Sequence, residues 1–286
     1  MEGRGAVMIH MAVNRFIMLL CACVVMVSCV DKPFVIIQMA DAQLGFDAAV
    51  KGQAPGAAYV NDLTYETEFL KKAVGQVNEL RADAVVFTGD QVNTAEDVEQ
   101  WNTFADVISE IDRRTAVFHV PGNHDMLISE GKVDVTPFSS RYGDDRFVIS
   151  NKKICLVGIN SNLIKYNDPR EEEQFVWLKT VLEAASDEAV KLVFCHHPFF
   201  LTDIDEEDGY FQIQKSKRHR YFDMFAAAGV GAVYAGHLHD SSEGEYRGIP
   251  MKTATSVAYQ LGSAGQSFRR IVISGNALVS DDMVAL

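Results

Sequence analysis

Thr115-Ala-Val-Phe-His-Val120, followed by Gly122-Asn123-His124-Asp125, is the stretch on which the fold turns. A β-branched and aromatic run stops at a polar turn. The same happens four more times: Phe34-Val-Ile-Ile-Gln-Met39 runs into Asp41-Ala42-Gln43, and Ala84-Val-Val-Phe-Thr88 into Gly89-Asp90. Lys191-Leu-Val-Phe-Cys195 precedes His196-His197-Pro198, and Gly231-Ala-Val-Tyr-Ala235 precedes Gly236-His237-Leu238-His239. Short apolar runs bounded by turn formers are buried strands. In an α/β sheet, ligands bind beyond the carboxyl ends of the strands. Polar motifs at every one of these ends predict a single shared rim.

Between the strands the period changes from two to about 3.6. From Thr64 to Leu80 the residues Phe69, Leu70, Val74, Val77 and Leu80 fall on one helical face. Thr94 followed by Asp97 has the form of a helix N-cap signal before Val98, Trp101, Phe104, Ala105, Ile108 and Ile111. Strand and helix alternating up to Val120 imply right-handed crossovers and a parallel sheet. Arg146 to Ser150 and Ile154 to Ile159, joined at Asn151-Lys152, have the pattern of a hairpin. Glu171 to Ala185 and Ser216 to Ala228 are expected helices, and 243–286 short alternating strands. The expected class is α/β, with two mixed β-sheets packed as a sandwich and flanked by α-helices in four layers, α/β/β/α. At 286 residues and 48% apolar content, without internal repeat or linker, residues 29–286 are expected to form one domain.

The first residues carry a different message. Asn14-Arg15 leads into the apolar stretch Phe16 to Val27 and then Ser28-Cys29, the layout of a secretory signal. The stretch is too short to span a bilayer, which needs about 20 apolar residues. Met26-Val27-Ser28-Cys29 resembles a bacterial lipobox. Residues 1–28 are therefore expected to be a lipoprotein signal peptide and Cys29 to carry the lipid, with Cys23 the lesser alternative. An ordinary signal peptide and a buried first helix are the competing possibilities for this segment. The expected location is the bacterial cell envelope, on its periplasmic or outer-surface face. After that segment only Cys155 and Cys195 remain. Both lie in apolar strands and are expected to be small buried hydrophobes; a nucleophilic Cys195 would have to point to the opposite sheet face from His196.

The net charge of −13 repels polyanions, so no nucleic acid partner is expected. Residues 1–28 carry one net positive charge, Arg4 and Arg15 against Glu2, so the remainder is one unit more acidic still. The basic run Lys215 to Arg220 is expected to be a solvated helix face. The acidic segment Asp203 to Asp208 is expected to be a plain loop near the rim, where Tyr210 and Phe211 would shape the pocket.

The motifs supply Asp, Asn, Gln and His but no thiolate, a mixture that suits divalent Mn, Fe, Zn or Mg rather than a structural zinc site. Two such ions about 3.5 to 4 Å apart clamp the attacking and leaving oxygens of an in-line displacement and acidify a bound water. In order and spacing the five motifs resemble the calcineurin-like metallophosphoesterase superfamily, whose DxH, GDxx, GNHD/E, H and GHxH pattern runs over residues 34–239. The resemblance implies a first metal held by Asp41, Gln43, Asp90 and His239. It implies a second held by Asp90, Asn123, His196 and His237, with Asp90 bridging. His124 would contact the phosphate or protonate the leaving oxygen, and Asp125 would orient it.

Gln43 stands where most members have His, a weaker donor that would reach its metal directly or through water. Asn93 stands where purple acid phosphatases carry a tyrosinate. Asp-x-Gln before Leu44-Gly45, Arg141-Tyr-Gly-Asp-Asp145, Ile204 to Phe211 and Lys215-Ser216 are similar to a Ser/Thr protein phosphatase subgroup of the superfamily. The implied activity is hydrolysis of a phosphomonoester, on a phosphorylated protein or small molecule, by metal-activated hydroxide without a covalent intermediate. The competing functions are a phosphodiesterase acting on a cyclic nucleotide, glycerophosphodiester or phospholipid headgroup, and a non-catalytic envelope binding lipoprotein. His197 is expected to support the ligands or wall the pocket, and His119 to be a core histidine.

Overall fold

Alternation along each strand decides the layers. In β1 (Phe34–Met39) Ile36 points to one side, and Ile37 and Met39 to the other. The computed structural model describes residues 32–54 and 60–286, and Lys32–Leu286 forms one compact unit. The expected signal segment 1–28 and Cys29 lie outside the described residues.

The first sheet has the order β13-β12-β1-β2-β3, with β2 (Ala84–Thr88), β3 (Ala116–Val120), β12 (Ser267–Ser274) and β13 (Ala277–Ala285). The second has the order β10-β11-β9-β8-β7-β6, built from β6 (Phe147–Ser150), β7 (Ile154–Gly158), β8 (Val190–Phe194), β9 (Val230–Ala235), β10 (Glu243–Tyr246) and β11 (Ile249–Thr253). A small hairpin joins β4 (Leu127–Ser129) to β5 (Lys132–Asp134). β1, β2 and β3 pair in parallel, as do β7, β8, β9 and β11, while β12, β13, β6 and β10 attach antiparallel at the edges.

Ile36, Val86, Leu156, Leu192, Phe194, Tyr234 and Ile271 fill the space between the sheets. The outer face of the first sheet is covered by α2 (Thr64–Leu80) and α3 (Val98–Ile108), with Leu70, Val77 and Phe104 against Val85 and Phe87. The outer face of the second is covered by α6 (Glu171–Ala184) and α7 (Lys215–Ala228), with Leu178, Phe222 and Phe225 against Val193 and Val233. These faces give the four expected layers. Each fully buried Leu, Ile or Phe stabilises the folded chain by about 1.5 to 3 kcal/mol. α1 (Phe46–Gly52), α4 (Thr136–Tyr142) and α5 (Ser161–Lys165) are too short for their periodicity to stand out in the sequence.

Several local expectations need correction. The cap of α3 is Asp97, whose side chain accepts from the amides of Glu99 and Gln100, and not Thr94. Thr94 instead closes a turn, its carbonyl taking the Asp97 amide. The basic run on α7 is no solvated face throughout, because Arg218 is fully buried. Cys195 does face away from the rim, into the core under α6 and α7, where burial pushes its thiol well up and out of reach of ionisation.

His119, expected to be a satisfied core histidine, is instead half-buried, packed among the rings on the outer face of the first sheet. Its ring stacks on Phe87 at 5.1 Å and on Tyr142 at 4.0 Å, and Nδ1 has no partner. Burial pushes its pKa down from 6.5 to about 3. The neutral ring therefore contributes stability that is complete above pH 6.5 and is lost as the pH falls toward 3. His119→Phe keeps the stack and removes the proton acceptor. Acid unfolding followed by circular dichroism should then move to lower pH, and an unmoved or raised midpoint would contradict the assignment.

Candidate metal centre

Because β1, β2, β3, β8 and β9 run parallel within their sheets, all five polar motifs emerge at one rim. The chain bends sharply there. Asp41, Gln43, Asp90, His237 and His239 all have positive φ, at 54°, 39°, 50°, 69° and 52°. For residues with a Cβ such a conformation costs about 1 to 3 kcal/mol and persists where function demands it. Glycines make the close approach feasible. A Cβ on Gly122 would stand 2.0 Å from Asp90 Oδ1, one on Gly89 2.4 Å from His196 Nδ1, and one on Gly236 2.7 Å from Asp41 Oδ2.

The two sheets are stitched together under this rim. Gln38 Nε2 donates to the Ala235 carbonyl at 2.8 Å, and the His237 amide donates to Asp41 Oδ2 at 2.9 Å. His196 Nε2 lies 3.3 Å from Asp90 Oδ2, 3.1 Å from Asn123 Oδ1 and 3.1 Å from His237 Nδ1. His239 Nε2 lies 3.5 Å from Asp41 Oδ1. Backbone carbonyls fix the rings from behind: Thr88 accepts from His196 Nδ1 at 2.9 Å and Tyr259 from His239 Nδ1 at 2.6 Å. Nδ1 is thereby committed as a donor, so Nε2 is the nitrogen each ring turns toward the site, and it offers a lone pair to an ion that displaces its proton.

Electrostatics at the rim is severe. Burial pushes Asp41 up to about 6. Burial also works to raise Asp90, but the rings of His196, His124 and His237 outweigh it and hold that carboxyl well below its usual range. Burial opposes a charge on His196, yet the carboxylates of Asp90 and Asp41 push it up to about 9, while burial and His196 drive His237 down to about 2. Gln43 Oε1 and His237 Nε2 are buried without a partner. Oxygen and imidazole donors converging with unmet acceptor atoms fit divalent cations, since buried charges persist when paired or metal-bound.

The structure brings together Asp41, Asp90, Asn123, His196, His237 and His239, and sets His124 beside them with its amide on Asp90 Oδ1 at 2.8 Å. Gln43 lies at the same rim, its amide bonded to the Asp90 carbonyl and its side chain to Asn93. Asp125 differs from its expected role. Its carboxylate accepts the amides of Gly122 at 2.7 Å and of Gln91 and Val92 at 2.8 and 3.3 Å. It ties the two loops, while the ring of His124 is oriented by the Asn93 carbonyl, 2.8 Å from Nδ1. Asn93 Oδ1 also accepts from Gln43 Nε2 at 3.3 Å, which leaves the Gln43 oxygen turned away from it. No pattern of residue types signals a backbone carbonyl in this role.

His197 is not among the expected ligands, yet its ring nitrogens, those of His196 and those of His237 offer donor atoms within 4.8 Å of one another. Asp41, Asp90 and His196 form the other such group among the described residues. Ser161 supports both histidines, its Oγ accepting the amides of His196 and His197 at 3.1 and 2.8 Å.

Comparison with known proteins agrees with this geometry, the calcineurin-like phosphoesterase pattern matching residues 57–241. The chain belongs to the calcineurin-like phosphoesterase family. It is 30% identical over 260 residues to the Bos taurus serine/threonine-protein phosphatase CPPED1, covering 86% of this chain and 82% of that one. It is 31% identical over 260 residues to the Danio rerio protein of the same name, covering 86% and 83%. In fold it is similar to a dimetal phosphatase from Danio rerio, with a TM-score of 0.60 at 19% identity over 88% of this chain and 98% of that one. Membership of the family means a metal-dependent phosphoester hydrolase.

Gly122→Ala tests the crowding at the rim. The added methyl must displace Asp90, so metal affinity measured by calorimetry should fall at least 10-fold, about the scale on which loss of ligand support is felt, with the circular dichroism spectrum retained. Undiminished affinity would show that Asp90 does not need this space.

Proposed function

We propose that this protein is a phosphomonoesterase of the serine/threonine-phosphatase type, with two divalent ions held by Asp41, Gln43, Asp90 and His239 and by Asp90, Asn123, His196 and His237. The observation that carries the reading is Asp90, buried between both groups, with His124 bonded to it through its amide. When bound, the ions supply positive charge for the phosphate oxygens and acidify the attacking water. Mn, Fe, Zn or Mg suits this donor set, in which no thiolate takes part.

The remaining work belongs to side chains. His124 Nδ1 donates to the Asn93 carbonyl, so Nε2 is the atom left for the substrate. With the ring in its imidazolium form, Nε2 carries the proton that would hydrogen-bond the phosphate or pass to the leaving oxygen, leaving the ring neutral. Asp125 keeps the Gly122 and Gln91 loops in register, which sets where His124 and Asn123 stand. The relatives named serine/threonine-protein phosphatases support a phosphorylated protein or small molecule as substrate. They favour neither a phosphodiesterase nor a non-catalytic binding role.

Rates on 4-nitrophenyl phosphate and bis(4-nitrophenyl) phosphate with Mn decide the reaction type. The monoester should be preferred, and His124→Ala should keep its metal while kcat falls by about 100-fold or more, the usual contribution of a positioned acid. A strong diester preference would replace this proposal with the phosphodiesterase. Full metal loading without hydrolysis of either ester would replace it with the binding role.

Lipid attachment at Cys29, after removal of 1–28, belongs to the same proposal and would place the enzyme on the bacterial envelope. Its support is the Met26-Val27-Ser28-Cys29 motif. Cys29→Ser should move the protein from the membrane fraction to the soluble fraction on centrifugation. A variant that still pellets with membranes would exclude this anchor.

A further inference from the structure

The mouth of the metal centre carries an aromatic ring whose exposure folding does not explain. Tyr210 is 68% exposed, although its ring centroid lies 5.5 Å from that of His237 with the planes 32° apart. Phe211 packs edge-on against Tyr210 at 5.1 Å and against His237 at 5.6 Å. Tyr166 meets the ring of His197 edge-on at 5.9 Å. One face of the opening is thus aromatic.

The segment that presents Tyr210 has no helix or strand of its own between β8 and α7, yet it is firmly held. Lys165 Nζ donates to the carbonyls of Gly209 at 3.1 Å and Gln212 at 2.6 Å, the two that bracket Tyr210 and Phe211. The buried guanidinium of Arg218 donates to the carbonyls of Ile213, Ile204 and Glu206 at 2.8, 3.1 and 2.6 Å. Asp208 accepts the Lys215 amide at 2.6 Å.

The acidic segment is bound up in the same bonds. Asp205 is taken up by His219, Glu206 by the amides of Leu201, Thr202 and Asp203, and Asp208 by Arg218 and Lys215. Asp205, Glu206 and Asp208 thus have partners within the protein, while Glu207, 3.6 Å from Lys215, stays exposed.

We propose that Tyr210 is a specificity residue whose face receives the leaving group of the phosphoester, favouring substrates that present a flat or apolar surface, such as an aryl group or a peptide chain. Lys165 is the positioning residue that sets the ring through the backbone. A rigid aromatic platform loses little entropy when a partner rests on it. The inference rests on the phosphoesterase reading above and names the substrate class of the same site.

Phenylphosphonate and methylphosphonate share one anion and are not hydrolysed, so calorimetric titration of the Mn-loaded protein isolates the leaving-group side. Wild type should bind the phenyl compound more tightly. Tyr210→Ala should lower that preference by about 3- to 10-fold, the range an aromatic contact provides, and Tyr210→Phe should keep it. Lys165→Met should lower the preference in the same direction and Lys165→Arg should restore it, which a purely structural loss would not do. The same preference in wild type and Tyr210→Ala, or equal weakening of both probes, would overturn the inference alone. Failure of wild type to bind either probe or to release phosphate from any monoester would overturn the phosphoesterase reading and this inference with it.

Discussion

Asp90 is a carboxylate at 1% exposure that cannot be left alone. Its Oδ1 takes the amide of His124, its Oδ2 faces His196, and Gly122 clears the space in which it lies. A buried carboxylate without a compensating positive charge is strongly unfavourable. The surrounding imidazoles can offer protons; divalent ions, as proposed, would satisfy the same need and leave Asn123, Gln43 and the histidines to act as donors. The positive φ angles at Asp41, Gln43, Asp90, His237 and His239 fall on residues that serve this arrangement. Folding free energy is given up at the rim, and the four layers beneath supply it.

The two sheets divide the work. The first contributes Asp41, Gln43, Asp90, Asn123 and His124, and the second contributes His196, His237 and His239. The centre therefore exists only when the sandwich is closed. Bonds across it, from Gln38 to Ala235 and from His237 to Asp41, make sheet docking and ligand placement one event. Ions that bind this assembled state and not the unfolded chain add their binding free energy to its stability. An aromatic flank beside His237 and a second one, Phe46 with Tyr259 against His239, enclose the polar centre in apolar walls. Such walls lower the local dielectric and strengthen every charge within.

Much of this is legible in the chain itself. β1 and β2 coincide with the apolar runs Phe34–Met39 and Ala84–Thr88, and β3, β8 and β9 shift from theirs by one residue, because strand composition and turn formers act locally. The expected metal-binding residues share one rim because parallel strands leave no other place for their carboxyl ends. What escapes is set by long-range contacts. Asp125 follows His124 and looks like its partner, but its lone pairs are taken by three backbone amides, and an amide has no residue identity to reveal it. His197 adjoins His196 in sequence, and alternation sends it to another side; the turn after β8 brings its ring back to within 4.3 Å of His237. Arg218 sits in a run of charges with the look of a solvated face, and the carbonyls of the 204–213 segment together with the Asp208 carboxylate make its burial tolerable.

The most direct measurement is anomalous scattering from a crystal of the protein loaded with Mn. Two peaks about 3.5 to 4 Å apart, with the carboxylate of Asp90 between them, Asp41 and His239 on one and Asn123, His196 and His237 on the other, are the predicted result. A single peak, or two that do not share Asp90, would contradict the dinuclear centre from which the rest is derived.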